Sequence, residues 1–353
     1  MVIEKWNLPM QIIPIEKELK NPTLCEEKTG EEKVYEYIEP VNTDYFKSAS
    51  YPAKDPSKKS EIDPLKKSIS DLERASEGNH GPNSLRKALI MAGGFGTRMK
   101  ELTKDTPKPM LLLQEKPILE YSIDLCKRYG IRDIAISIYH FGDKIKQYFG
   151  DGSKFGVNIV YVEEMMPLGT GGALRLFEHW LNEPFMMCNA DELKDINLDE
   201  MYKHHMMSNA SVTIALTKVE DPSQYGVVDL QGNKILRFVE KPKKEEAPSN
   251  YINAGLYIFE PEAIKLIPDG FTMVEKDLFP KLASIGKLSG YKFKGQWFDT
   301  GTRERYEDAK TNWQGFKELP IKEESLPNVE ENLPNSINTY ADKNVSIKTT
   351  SLE

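Results

Sequence analysis

The apolar run Arg86-Lys87-Ala88-Leu89-Ile90-Met91 breaks directly into Ala92-Gly93-Gly94-Phe95-Gly96-Thr97-Arg98, and Thr106-Pro107-Lys108-Pro109 follows shortly after. A short buried strand that opens into glycines is the pattern of the carboxyl edge of an open α/β sheet, where ligands of such folds bind. Glycines there let backbone N–H groups approach phosphate oxygens with no Cβ in the way. Arg98 adds a guanidinium fork that matches phosphate geometry, and Lys108 adds a point charge. Together they predict a grip for a nucleoside triphosphate. A glycine turn by itself is equally the mark of a tight turn. The spacing also lacks the third glycine of a dinucleotide fingerprint, and no Gly-Lys-Ser/Thr follows as a P-loop requires, so neither a dehydrogenase nor a P-loop kinase is favoured.

The rest of the chain supports the grip. Its 353 residues are enough for one large α/β domain with appendages. Apolar strands alternate with amphipathic segments from Arg86 to about Phe316, whereas both ends are rich in Lys, Glu, Pro, Ser and Asn. The expected division is an N-terminal extension over 1–85, largely flexible or docking a partner, a catalytic domain over 86–315 and a tail over 316–353. The formal net charge of −8 disfavours nucleic acid or an anionic membrane as partner, so a phosphate site must be a local basic cleft. Cys25, Cys126 and Cys188 share no metal-type spacing and suit a reducing compartment, the last two as buried inert thiols. No apolar run reaches the ~18 residues of a membrane span and no signal-peptide layout opens the chain, so a cytoplasmic location is expected.

Within the core, helical spacing over Pro117–Tyr129 ends at Gly130, and a strand follows over Asp133–Ile138. A helix around Asp143–Phe149, a strand over Val157–Val162, a helix over Gly172–Trp180 and a strand over Phe185–Cys188 continue the pattern. This succession predicts parallel pairing with helices on both faces. The strands 212–216, 225–228 and 235–239 are joined by short polar turns and predict an added antiparallel meander, with a second ligand where the two portions meet.

Two aspartates stand where strands of this kind end, Asp191 and Asp299, and hard carboxylate oxygens suit Mg²⁺. Either alone is as readily a turn former. Lys241, after the strand Phe238-Val239-Glu240, is placed to bind a second phosphate, while Glu240 and Asn253 offer partners for sugar hydroxyls. The bland alternative is a solvated Glu240–Lys241 pair at a turn.

Seven motifs, Gly93-Gly94-Phe95-Gly96-Thr97-Arg98, Pro107-Lys108-Pro109, Pro167-Leu168-Gly169-Thr170-Gly171-Gly172, Tyr225-Gly226-Val227-Val228, Glu240-Lys241-Pro242, Asn253-Ala254-Gly255 and Trp297-Phe298-Asp299-Thr300-Gly301-Thr302, occur in order. In order and spacing the chain resembles the sugar-1-phosphate nucleotidyltransferases from about Arg86 to Asn312, and most of all their mannose-1-phosphate guanylyltransferase branch. The resemblance implies a Rossmann-like mixed, mainly parallel sheet with helices on both faces, the nucleotide-diphospho-sugar transferase fold, carrying an added antiparallel sugar-binding portion. It implies that Gly93, Gly94, Gly96, Thr97 and Arg98 hold the nucleoside triphosphate, with Gly169 and Thr170 near base and ribose. Lys108 then stabilises charge during transfer, Asp191 and Asp299 share Mg²⁺, and Gly226, Glu240, Lys241 and Asn253 receive the sugar phosphate. The implied reaction is attack of a sugar-1-phosphate oxygen on the α-phosphorus with departure of pyrophosphate.

Where uridylyl- and thymidylyl-transferring relatives often carry glutamine, this chain has Glu164. A carboxylate only accepts hydrogen bonds and guanine offers adjacent N–H donors, so GTP is the expected donor; mannose 1-phosphate as the expected acceptor is what the resemblance implies. Glu164 could equally be a solvent-facing strand end. Two positions depart from the family pattern: Glu101 replaces a usual proline, and Ala190 replaces the glycine before the first metal aspartate, which matters only if that turn needs positive φ. Alternatives kept open are transfer to a heptose or other hexose 1-phosphate, and a catalytically silent nucleotide-sugar sensor. A homo-oligomer or a protein partner through the N-terminal extension is also open.

Overall fold

The computed structural model describes residues 84–94, 96–139, 141–164 and 166–317. Nearly all of the expected extension and tail, with Cys25, lies outside them.

Alternation along the first strand sets the layers. In β1 (Lys87–Met91), Leu89 enters the core on one face of the sheet, while Ala88 and Ile90 enter the core on the other. β6 (Phe185–Asn189) does the same, with Phe185 and Met187 on the first face and Met186 and Cys188 on the second. A strand apolar on both faces has to lie between two covering layers. β4 (Asp133–Ile138) and β5 (Asn158–Glu163) complete a parallel set in the order β5-β4-β1-β6. The intervening helix α1 (Ile118–Arg128) buries Leu119, Ile123, Leu125 and Cys126 and stops at Gly130, whose φ of 80° continues no helix. α2 (Gly142–Phe149) covers the same face through Ile145 and Phe149.

A two-stranded pair, β2 (Leu112–Leu113) and β3 (Lys116–Pro117), precedes α1, and the later elements are β8 (Val212–Lys218), β9 (Gly226–Gln231), β10 (Lys234–Glu240), β11 (Tyr251–Phe259), the short helix α5 (Phe279–Ser284) and β12 (Leu288–Lys292). Among the described residues one sheet has nine strands, in the order β5-β4-β1-β6-β11-β8-β12-β10-β9. The expected meander of β8, β9 and β10 is not formed. β9 and β10 pair as a hairpin about Gly232, but β8 sits inside the sheet, antiparallel to β11 and parallel to β12. Val212 to Leu216 are all buried, which demands cover on both faces, whereas β10 buries only Ile235 and Phe238, on either side of a register shift, and suits the sheet margin.

The helix expected over Gly172–Trp180 is α3, Gly169–Leu176. Gly171 and Gly172 donate to Thr272 O and start it early. The amides of Phe177, Glu178 and Trp180 bond three residues back instead, which tucks both aromatic rings into the core. Cys126 and Cys188 are free and buried, their thiols pushed up by that burial. No helix among the described residues is long and apolar enough to cross a membrane.

Candidate active site

β1 and β6 run in register to Met91 opposite Asn189, so the loop after β1 and the turn Ala190-Asp191 leave the same edge. Ala190 N donates to Met91 O at 3.1 Å, and Ala190 is not among the residues of positive φ, so its turn does not need the glycine usual there. From Asp191 the chain enters β7 (Glu192–Lys194), which pairs with β13 (Trp297–Asp299) and sets Asp299 opposite Glu192. Thr300 ties the two turns together, its N and Oγ1 both donating to Asp191 O. Aspartates far apart in sequence thus meet at one edge.

Lys108 reaches this edge from a short turn (Lys108–Met110) set by Pro107 and Pro109, and its Nζ lies 2.6 Å from Asp191 Oδ2. Burial pushes the Asp191 carboxyl up, but the Lys108 ammonium with its hydrogen bond, and Lys194 beyond it, hold it below the usual carboxylate range. Asp299 Oδ2 accepts from Arg305 Nη1 at 2.7 Å and Tyr225 OH at 3.0 Å, while Gly301 N donates to Oδ1. Arg98 is exposed on the turn opened by Thr97, with Nη2 3.7 Å from where a Cβ on Gly301 would stand. Gly96, at φ 63°, precedes that turn, and Glu101 within it is exposed.

Among the described residues no group of three or more His, Cys, Asp and Glu side chains is arranged to hold a metal. Two aspartates brought to one edge of the sheet nonetheless fit Mg²⁺, which is commonly held by one or two carboxylates and completed by water and substrate phosphate.

Glu164 is buried beneath the glycine loop, where a Cβ on Gly93 would lie 2.9 Å from its Oε1. Oε1 accepts from Ser137 Oγ at 2.7 Å and Oε2 from Leu168 N at 2.9 Å, so it is no solvent-facing strand end. Burial raises its pKa against those two hydrogen bonds. Gly169, at φ 71°, and Thr170 open α3. Thr170 Oγ1 donates to Glu275 Oε2 at 2.8 Å and accepts from Val274 N at 3.0 Å, so its hydroxyl fastens α3 to the segment Val274–Leu278.

On the far side, Gly226 pairs with Glu240 across the β9–β10 hairpin, and the Phe238 ring fills the place of its absent side chain. Lys241 adopts φ 47°, donates its N–H to Tyr225 O, and keeps Nζ 3.4 Å from Glu240 Oε1 with 56% of its side chain exposed. β11 brings Asn253 alongside through the pair Ile252–Val227. Asn253 Oδ1 accepts from Gly255 N, and its Nδ2 donates to Tyr257 OH. Gly255, at φ 59°, packs directly on Glu192, to which Trp297 Nε1 and Asn189 Nδ2 also donate.

The Nucleotidyl transferase family model matches residues 87–314. The chain belongs to this family. Among its relatives, a mannose-1-phosphate guanyltransferase of Yarrowia lipolytica is 40% identical over 61% of this chain and 60% of its own length. A mannose-1-phosphate guanylyltransferase catalytic subunit beta of Danio rerio is 38% identical over 61% of each chain. The match thus spans about three fifths of those relatives. The solved structure of HddC from Yersinia pseudotuberculosis complexed with GMP-PN is 25% identical with a TM-score of 0.57, over 65% of this chain and all of that one.

The sequence motifs did not single out Arg305, the Tyr225 phenol, Glu192 or Ser137. Arg305 belongs to the charged run Arg303-Glu304-Arg305, where nothing local separates a site residue from a solvated one. Ser137 and Glu192 lie one on a strand and one just after a motif residue, and only the pairing of strands reveals what they touch.

Proposed function

We propose that this nucleotidyl transferase moves a guanylyl group from GTP to mannose 1-phosphate, giving GDP-mannose and pyrophosphate. The observation that carries this reading is the meeting of Lys108, Asp191 and Asp299 at the edge where the glycine loop leaves β1. The mannose-1-phosphate guanylyltransferase relatives support the choice of substrates, and the solved neighbour complexed with GMP-PN supports a guanine nucleotide.

In this reading the loop from Gly93 to Thr97 receives the triphosphate through backbone N–H groups. Arg98 and Lys108 offset the charge that grows on the phosphates, and Lys241 holds the acceptor phosphate. Glu164 faces the guanine edge, with Ser137 and Leu168 N fixing its orientation. Gly226, Glu240 and Asn253 line the sugar side, so the antiparallel strands β9, β10 and β11 form the sugar-binding portion. The acceptor phosphate is already an anion, so no general base is required, and the barrier lies in bringing two anions into line. Mg²⁺ held by Asp191 and Asp299 would supply further charge stabilisation at the phosphates. A partner subunit is also proposed, since the Danio rerio relative is named a catalytic subunit.

The test is pyrophosphate release with Mg²⁺, crossing GTP, UTP, CTP, dTTP and ATP with mannose, glucose and heptose 1-phosphates, beside Asp191→Ala. Release with GTP and mannose 1-phosphate that the variant abolishes supports the reading. Release with another sugar phosphate reassigns the acceptor, and silence in every pair alongside nucleotide-sugar binding favours a sensor.

A further inference from the structure

The two aspartates of the site are each closed by a different kind of cation. Lys108 reaches Asp191 on an unbranched stem, 2.6 Å from Oδ2. Arg305 reaches Asp299 from α6 (Arg303–Asn312), 2.7 Å from Oδ2, and its own position is fixed from two sides. Thr302 caps α6 by accepting from Arg305 N, and the guanidinium lies over the Tyr225 ring, 5.0 Å from its centroid. Tyr225 is in turn held edge-on against Trp297 while its hydroxyl donates to the same Asp299 oxygen. Asp299 is 13% exposed and Arg305 30%. With the adjoining Glu192–Lys194 pair at 3.3 Å, each of the three carboxylates Asp191, Glu192 and Asp299 has its own cation, Lys108, Lys194 and Arg305, and Arg98 lies close by.

We propose that Arg305 is a positioning residue that keeps Asp299 paired, as Lys108 keeps Asp191 paired, so that this site takes up a divalent cation only together with a nucleoside triphosphate. The inference rests on reading Asp191 and Asp299 as the metal pair. A bare cation meets an edge whose charge is already balanced, so it gains little by displacing ammonium and guanidinium groups held at hydrogen-bond distance. An incoming triphosphate changes this balance, because its oxygens both carry the metal and offer Lys108 a new partner. Arg305, stacked and capped, has no such freedom and stays to orient Asp299. Removing its charge leaves Asp299 with Tyr225 and Gly301 N as donors and an uncompensated negative charge, which attracts a bare divalent cation.

The experiment is direct Mn²⁺ binding to the full chain, without substrate turnover. Protein-retained Mn²⁺ is separated by ultrafiltration and free Mn²⁺ is read by electron paramagnetic resonance, with and without GTP. The wild-type chain is expected to retain Mn²⁺ only when GTP is present. Arg305→Gln is expected to retain it without nucleotide, with an affinity tighter than wild type by roughly tenfold or more. Arg305→Lys, which keeps the charge, restores the wild-type pattern. Nucleotide-free Mn²⁺ binding by the wild type as tight as binding with GTP overturns the proposal, and that measurement needs no variant to fold. Equal nucleotide-free affinities for wild type and a folded Arg305→Gln overturn it as well. If Asp299→Asn retains Mn²⁺ with GTP as tightly as wild type, the metal assignment itself falls and the proposal with it. GTP-dependent Mn²⁺ retention in a protein that transfers nothing to any sugar phosphate removes the transferase reading and leaves the role of Arg305 standing.

Discussion

Lys108 Nζ and Asp191 Oδ2 lie 2.6 Å apart, joining the turn after the glycine loop to the turn after β6. The Lys108 side chain is 9% exposed and that of Asp191 37%, so water reaches the pair mainly from the aspartate side. Lys108→Met is expected to lower kcat/KM by ~10²-fold or more, as loss of a preorganised charge at a transferring phosphoryl group does. Lys108→Arg should not restore it, because the planar fork does not fit the space of a buried stem. In urea unfolding, Lys108→Met and Asp191→Asn should couple by about 1 kcal/mol, a value kept small by the water that reaches Asp191.

Gly169 and Gly94 should respond oppositely to alanine. At Gly169, φ is 71° and a Cβ would stand 2.5 Å from Thr272 O, a backbone atom that cannot step aside. Gly169→Ala is expected to cost roughly 2–4 kcal/mol, seen as a lower Tm. A Cβ on Gly94 would meet nothing within 4 Å among the described residues beyond its chain neighbours, so Gly94→Ala should leave Tm nearly unchanged and raise the KM for GTP if the loop approaches phosphate.

Thr170 joins α3 to the segment beginning at Val274 with one hydroxyl that both donates and accepts. Thr170→Val keeps the shape and leaves the Val274 N–H and the buried Glu275 carboxyl without that partner. The expected loss is about 1–3 kcal/mol in chemical unfolding, and Thr170→Ser should recover most of it.

His205 on α4 (Leu198–Ser208) is buried between Thr213 Oγ1, 2.8 Å from Nδ1, and Glu260 Oε1, 3.2 Å from Nε2, with the Tyr202 ring stacked on it. Burial, and secondarily the neighbouring His204, push its pKa from 6.5 down to about 4, although the Glu260 carboxylate stands where it would favour the charged ring. The folded protein therefore takes up this proton at lower pH than the unfolded chain. Its contribution is complete above about pH 6.5 and is lost progressively as pH falls toward 4, by roughly 2–3 kcal/mol. The difference in unfolding free energy between wild type and His205→Gln, followed from pH 7.5 to 5, should shrink as the pH falls. A constant difference would remove His205 as the cause.

Much of this protein was determined by local pattern. The two-sided alternation of β1 and β6, the helix stop at Gly130 and the position of Asp191 just past β6 all follow from neighbours in sequence, because strand burial and chain reversal are set by a few adjacent side chains. The family motifs likewise named Lys108, Asp191 and Asp299 without saying how they meet. Tertiary structure alone decided the remainder. β8 entered the sheet between β11 and β12 because five successive buried residues need cover on both faces, and no short turn signal could announce those distant partners. Glu164 became a buried, doubly hydrogen-bonded carboxylate because Ser137 on β4 and the Leu168 amide converge under Gly93. Arg305 became the partner of Asp299 because Thr302 starts α6 beside Tyr225. Periodicity reports which face of an element is apolar, whereas charge pairing depends on which elements pack together, and that is settled only when the whole sheet closes its core.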